Sequence, residues 1–226
     1  MKLNINSPFF HFMNTLAEYI LLNFLWLICC IPIVTIGAST TALYYVTMQT
    51  AREEHGYIAR SFFRSFKENF KQSTIIWLIM FFLGAVLTFN VSFWFTMKST
   101  IGNVLGTLVS VALLLYLFTL FYVFPLLSRF DNTVKQTIKN AFFISLQNLK
   151  QTLIITITNI LIVLVAYFLP ISGIFFVLFG FAFFAYLNSF QFVKVFKCYE
   201  ANLDEDSLDE DASSSQIELP EDEIVR

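Results

Sequence analysis

Charge is scarce in this chain: 13% of residues are Asp, Glu, Lys or Arg, against about 25% in an ordinary globular domain. What charge there is leaves long stretches empty. None falls between Glu18 and Arg52, Lys71 and Lys98, Lys98 and Arg129, or Lys150 and Lys194. Each gap is long enough for a span, since about 20 apolar residues cross about 30 Å of hydrocarbon. With 57% hydrophobic residues and mean hydropathy +0.70, the chain is excluded from the soluble class.

Cysteine and histidine are equally sparse, and their placement excludes metal and redox chemistry as expectations. Cys29 and Cys30 adjoin inside the first apolar stretch, Cys198 stands alone, and His11 and His55 lie far apart. No CxxC occurs, so no zinc site is expected. Enzymatic signatures are missing too: there are no paired carboxylates in an apolar stretch, no Ser-His-Asp or Cys-His arrangement and no glycine-rich phosphate loop. Neither catalytic residues, a cofactor nor a nucleic-acid partner is expected. Met1-Lys2-Leu3-Asn4 lacks the profile of a cleaved signal peptide, so the first apolar stretch is expected to persist.

What is present reads as an all-α, polytopic transmembrane helical bundle of about five spans, embedded over residues 1–197. The spans are expected at about 18–45, 75–95, 104–127, 153–169 and 171–193, with Pro170 in the last turn. Two further segments read as amphipathic interfacial helices. In 58–72, Phe62, Phe66 and Phe70 oppose Arg60, Arg64, Lys67 and Lys71; in 129–150, Lys135 and Lys139 lie opposite an apolar stripe, and Ser128–Asp131 predicts a capping box. These six basic residues are candidate contacts to lipid or a partner. Beyond Cys198 the chain is acidic and poor in apolar residues, so 198–226 is expected to be a disordered tail.

The first apolar stretch is interrupted. Pro32 and Gly37 break it, and Ser39, Thr40 and Thr41 follow. Proline removes a donor and clashes one turn back, and at that depth freed backbone groups need partners. Asn23, Pro32, Thr35, Gly37, Ser39, Thr40 and Thr41 are therefore the candidate polar, broken-helix site. The alternative use of such residues is ordinary: interhelical hydrogen bonds and close packing. Two paths fit, a kinked single crossing (the favoured reading) or a re-entrant hairpin. The basic connections at 52–71, 129–150 and 194–197 are expected to be cytoplasmic by the positive-inside rule, with the C-terminus inside. A kinked crossing puts the N-terminus outside; a hairpin puts both ends inside. A weak echo between Phe62-Phe63…Asn69-Phe70-Lys71-Gln72 and Phe142-Phe143…Asn148-Leu149-Lys150-Gln151 is compatible with a parallel repeat.

Asn23-Phe-Leu-Trp26, Pro32-Ile-Val-Thr-Ile-Gly-Ala-Ser-Thr-Thr-Ala-Leu-Tyr-Tyr45, Arg60-Ser-Phe-Phe-Arg-Ser-Phe-Lys-Glu-Asn-Phe-Lys71 and Pro125-Leu-Leu-Ser-Arg-Phe130 occur in that order. On these segments the chain resembles the YesL family of bacterial integral membrane proteins, a family of unknown function. The resemblance covers about residues 16–195. It implies a Gram-positive setting and an association with carbohydrate-utilisation genes, including sugar-uptake components and sensor kinases, and it supplies no catalytic residues.

Two function classes follow. One is an accessory or regulatory subunit associated with carbohydrate uptake or sensing, whose partners would be the lipid bilayer and a sugar permease or membrane sensor kinase. The other is a small-solute, sugar-type transporter using the hydroxyls and amides near the break, with Asn90, Asn159 and Asn188. Apart from Glu18 at the start of the first, no charged residue stands inside the expected spans, which disfavours a carboxylate relay.

Overall fold

The computed structural model describes residues 8–54, 56–97, 99–168 and 172–217. Helices account for nearly all of them, in the order α1 Pro8–Cys30, α2 Ile36–Ala51, α3 Ile58–Thr96, α4 Thr100–Leu127, α5 Val134–Gln147, α6 Leu149–Phe168, α7 Ser172–Phe175 and α8 Phe181–Ile217. A 3-10 turn, Ile33–Thr35, joins α1 to α2, and a π-helical turn, Phe176–Gly180, joins α7 to α8. No strand occurs among the described residues. Four segments are long and apolar enough to cross a membrane: α3, α4, α6 and Gly173–Glu200. Thr15–Cys30 adds a shorter apolar helix. The chain is thus an all-α bundle of multi-pass membrane type.

The helices carry their apolar side chains outward as well as inward. Phe82, Phe89, Ile157 and Val163 are each 63–70% exposed, an arrangement that water would oppose and lipid accepts. Inside, two cores meet at Tyr44. One gathers Tyr122, Leu126, Phe192 and Phe196; the other gathers Leu22, Leu43, Val46 and Phe62 with Ala182 and Ala185. Tyr44 packs against both, edge-on to Phe192 at 5.4 Å.

Four expectations about element boundaries need correction. The interfacial helix at 58–72 is not separate: α3 runs unbroken from Ile58 to Thr96, roughly 58 Å at 1.5 Å per residue. Ser73 and Thr74, which stand at the expected break, cost a helix too little to stop it. Its phenylalanine face is shared with protein, since Phe62 is fully buried and Phe66 half-buried, while Phe63 and Phe70 stay exposed. The expected capping box at Ser128–Asp131 gives way to one at Thr133 and Gln136, where α5 begins; the Ser128 hydroxyl instead donates to the Pro125 carbonyl at 2.8 Å. Helix α6 starts at Leu149, with Asn148 alone between it and α5. The helical backbone of α8 also continues past Cys198 to Ile217, so the expected tail boundary is not a break in the chain's conformation. The turn at Pro170, the tip at Lys98, residues 1–7 and the end of the tail lie outside the described residues.

The sequence echo has a structural counterpart. Asn69 and Asn148 each donate to the carbonyl four residues back, both at 3.1 Å. Four residues further on, Ser73 and Thr152 are each fully buried and hydrogen-bonded to a hydroxyl of a preceding helix, Thr41 and Tyr122 respectively. The units differ in that α3 passes straight through Asn69 while the helix breaks at Asn148.

Past the apolar part of α8, Glu200 Oε1 accepts from Arg52 at 2.8 Å and from Arg129 at 2.6 Å. One carboxylate therefore ties the end of α2 and the turn after α4 to α8.

Candidate functional site

Everything about the candidate site depends on where residues 31–35 send the chain, and α8 serves as the ruler. Along α1, Trp26 packs on Phe181 (4.7 Å between centroids), Asn23 bonds Ala182, and Tyr19 packs on Tyr186 (5.2 Å). Along α2, Thr47 bonds Ser189 at 2.8 Å and Arg52 reaches Glu200. Residue numbers fall in α1 and rise in α2 as α8 is followed from Phe181 to Glu200. The two helices therefore run antiparallel. Trp26 Nε1 also donates to Thr40 Oγ1 at 3.4 Å, whereas 14 residues of one continuous helix would separate them by about 21 Å. The favoured single kinked crossing over 18–45 is replaced by the hairpin.

The tip satisfies its own backbone. Helix α1 leaves its last carbonyls without intrahelical partners, as every helix does. The Thr35 hydroxyl lies 2.6 Å from the Cys29 carbonyl and 2.7 Å from that of Pro32, so its one proton is shared between them. From α3, the Trp77 indole donates to the Ile33 carbonyl at 2.9 Å. Ile31, Pro32, Ile33 and Val34 are left exposed at the turn.

Gly37 is where α2 and α3 come closest. A Cβ there would stand 2.6 Å from the Ser73 carbonyl oxygen and 2.7 Å from Trp77 Cβ, closer than atoms pack without movement. Thr41, one turn along, donates to the Gly37 carbonyl and shares a 3.1 Å hydrogen bond with Ser73. Ser39 is fully buried, its hydroxyl beside the Cys30 thiol.

Asn23 has the most demanding position. It is fully buried, and its amide nitrogen donates to the carbonyls of Phe176 (3.1 Å) and Val177 (2.8 Å), while its carbonyl accepts from the Ala182 N–H at 3.0 Å. A π-helical turn shifts the hydrogen-bond register by one residue, and the backbone groups around it need outside partners. The asparagine side chain is a primary amide with two donors and an acceptor, so it supplies the missing peptide group from another helix.

The seven expected residues thus lie around one hairpin but do not converge on one cavity. Of them, Thr40 lines a cleft of about 530 Å³ between the hairpin, α4, α6 and α8, with Tyr44, Asn159 and Asn188 as its other polar neighbours. Asn159 spends a donor on the Ile155 carbonyl (2.7 Å), Asn188 stands beside Tyr44, and Asn90 bonds the Val86 carbonyl of its own helix. The six basic candidates, Arg60, Arg64, Lys67, Lys71, Lys135 and Lys139, are all exposed; Arg64 pairs with Glu68 one turn on, at 2.9 Å. Among the described residues no group of three or more His, Cys, Asp or Glu could hold a metal ion. Sequence reasoning missed Trp77, Ser73 and Glu200. Ser73 and Trp77 follow the amphipathic segment at helical spacing, and that continuity was the available signal; nothing near Glu200 distinguishes it from the acids beyond.

Comparison with known proteins fits this picture. Residues 19–91, which contain the hairpin and most of α3, match the family model described as "Protein of unknown function, DUF624". The chain is 26% identical over 148 residues to the uncharacterized protein YesL of Bacillus subtilis (strain 168), covering 64% of this chain and 69% of that one. No solved structure gives a significant match. These matches bear out the resemblance to the YesL family read from the sequence, and the similarity to the family model of unknown function falls on residues 19–91.

Proposed function

We propose that this protein is an accessory or regulatory subunit of the cell membrane, associated with carbohydrate uptake or sensing, with its N-terminus and C-terminus both cytoplasmic. One observation carries the non-transporting part of that reading: Asn23, Thr35 and Thr41 of the interrupted stretch are taken up in holding helices together. Asn23 is bound to the π turn, Thr35 to the end of α1, and Thr41 to Ser73. Small and polar residues used this way make a packed scaffold, and a scaffold acts through what it binds. The carbohydrate setting rests on the family resemblance, and the implied partner is a sugar permease or a membrane sensor kinase. The test is recovery of the tagged protein from native membranes in mild detergent after crosslinking, with identification of what accompanies it. A permease or sensor kinase is expected; repeated recovery of the protein alone would contradict the reading.

A second reading, a small-solute transporter, draws on the 530 Å³ cleft with Thr40, Tyr44, Asn159 and Asn188 on its walls. Sugar-type solutes are held by such hydroxyls and amides. Uptake by purified protein in liposomes would favour it, and abolition of that uptake by Asn188→Leu would assign the cleft as the path.

A further inference from the structure

The α3–α4 pair carries two outward grooves of similar size and different chemistry. One, of about 600 Å³, passes Trp77, Phe81, Gly84 and Leu117 and has no charged residue on its walls. The other, of about 670 Å³, runs between Met80, Leu83 and Leu87 of α3 and Ala112 and Leu115 of α4, and its third wall is α5, which contributes Lys135 and Lys139. Gln72 donates to the Asn132 carbonyl just ahead of α5. Helix α5 therefore sits at the end of α3 that bears Lys67 and Lys71, the basic side of the molecule.

We propose that this second groove binds one anionic phospholipid, with its phosphate between the Lys135 and Lys139 ammonium groups and its acyl chains along α3 and α4. Three features carry the assignment. The polar groups on the α3 and α4 walls are already paired within the protein: the Tyr116 hydroxyl donates to the Met80 carbonyl at 2.7 Å and Thr119 to the Leu115 carbonyl at 2.9 Å. What remains on those walls is apolar, suited to hydrocarbon and not to a hydrophilic solute. The two lysines are exposed, four residues apart on one helix, and neither forms an ion pair among the described residues. Like charges at that spacing repel, and an anion placed between them turns the repulsion into attraction. Basic residues at a membrane's edge are the usual means of selecting anionic headgroups, and here they close a chain-lined groove. The proposal rests on the membrane character of the fold and is independent of the accessory role.

The test is native mass spectrometry of the delipidated full-length protein in mild detergent, mixed with phosphatidylglycerol and phosphatidylcholine of identical chains. Retention of one phosphatidylglycerol is expected, preferred over phosphatidylcholine on the order of tenfold, as two favourable lysine contacts imply. K135Q/K139Q should bring the preference close to unity; K194Q/K197Q, on exposed positions of α8 that do not line the groove, should leave it in place. A112F, which fills the groove from an exposed position, should lower retention of phosphatidylglycerol. Helical content measured by circular dichroism confirms that each variant is folded. A preference that survives K135Q/K139Q, or retention untouched by A112F, would overturn the assignment. So would displacement of the lipid by millimolar inorganic phosphate, which would make the site one for a free anion.

Discussion

Asn23 makes three hydrogen bonds to the backbone of a helix more than 150 residues away, at 2.8–3.1 Å, from a fully buried position. Removing it would orphan two carbonyls and an amide where no water can replace it. Buried groups left unpaired cost about 1–3 kcal/mol, and polar contacts in membranes typically less, so Asn23→Ala should cost about 2 kcal/mol. For a chain of this size that is a fall of roughly 4–8 °C in the thermal midpoint, measurable as the unfolding temperature in detergent. Phe24→Leu, on an exposed neighbour, is the comparison; equal stability of the two variants would remove Asn23 from its assigned role. Gly37 fails differently. Pro32→Leu with Gly37→Leu should impair the protein more than Phe183→Leu on an exposed face of α8, because Gly37→Leu forces a side chain against the Ser73 carbonyl. Folded yield equal to that of Phe183→Leu would show that α2 and α3 do not need their close approach.

At the scale of elements, the hairpin and the long helix α3 explain each other. Helix α2 lies along the first half of α3, from Gln49 beside Gly56 to Gly37 beside Trp77, so the phenylalanines of 58–72 have a protein surface to meet. A bifunctional thiol reagent with a reach of about 10 Å should join Trp26→Cys to Thr40→Cys in a protein lacking Cys29, Cys30 and Cys198. Two positions about 21 Å apart on one straight helix would stay unlinked while Thr41→Cys and Ser73→Cys still joined. The sequence showed where the chain breaks, because Pro32 and Gly37 act locally. It did not show the angle, which is decided by contacts from distant helices: Trp77 to the tip carbonyl, Asn23 to the π turn. The π turn had no such signal at all. Gly173 and Gly180 flank a run of apolar residues that reads as an ordinary span, and only the partner side chain distinguishes the register. The amphipathic period at 58–72 was legible, but which neighbour covers its apolar face is not a property of that segment.

For the whole molecule, charge segregation in the sequence was sufficient for the membrane class and the helical fold, because the cost of burying charge in hydrocarbon is the same in any fold. The three-way contact of Glu200 with Arg52 and Arg129 shows where the acidic segment stops being passive. Deleting residues 204–226 should leave the membrane-inserted fold intact, whereas Glu200→Ala should lower stability by leaving two guanidiniums facing one another; a truncation that loses membrane-integrated protein would put structural weight further along the tail. The hairpin has a larger consequence. If the first apolar stretch turns back, four crossings remain, and both ends of the chain lie on the side of the basic connections.

That consequence is the measurement to make: labelling of single cysteines with a membrane-impermeant thiol reagent, in intact cells and in inverted vesicles. The background lacks Cys29, Cys30 and Cys198, and the reporters are Met13→Cys near the start of the chain and Ser207→Cys near its end. The account predicts that both react in inverted vesicles and neither in intact cells. Reaction of Met13→Cys from outside intact cells, with Ser207→Cys reacting only in inverted vesicles, would mean that the first stretch crosses, and would contradict it.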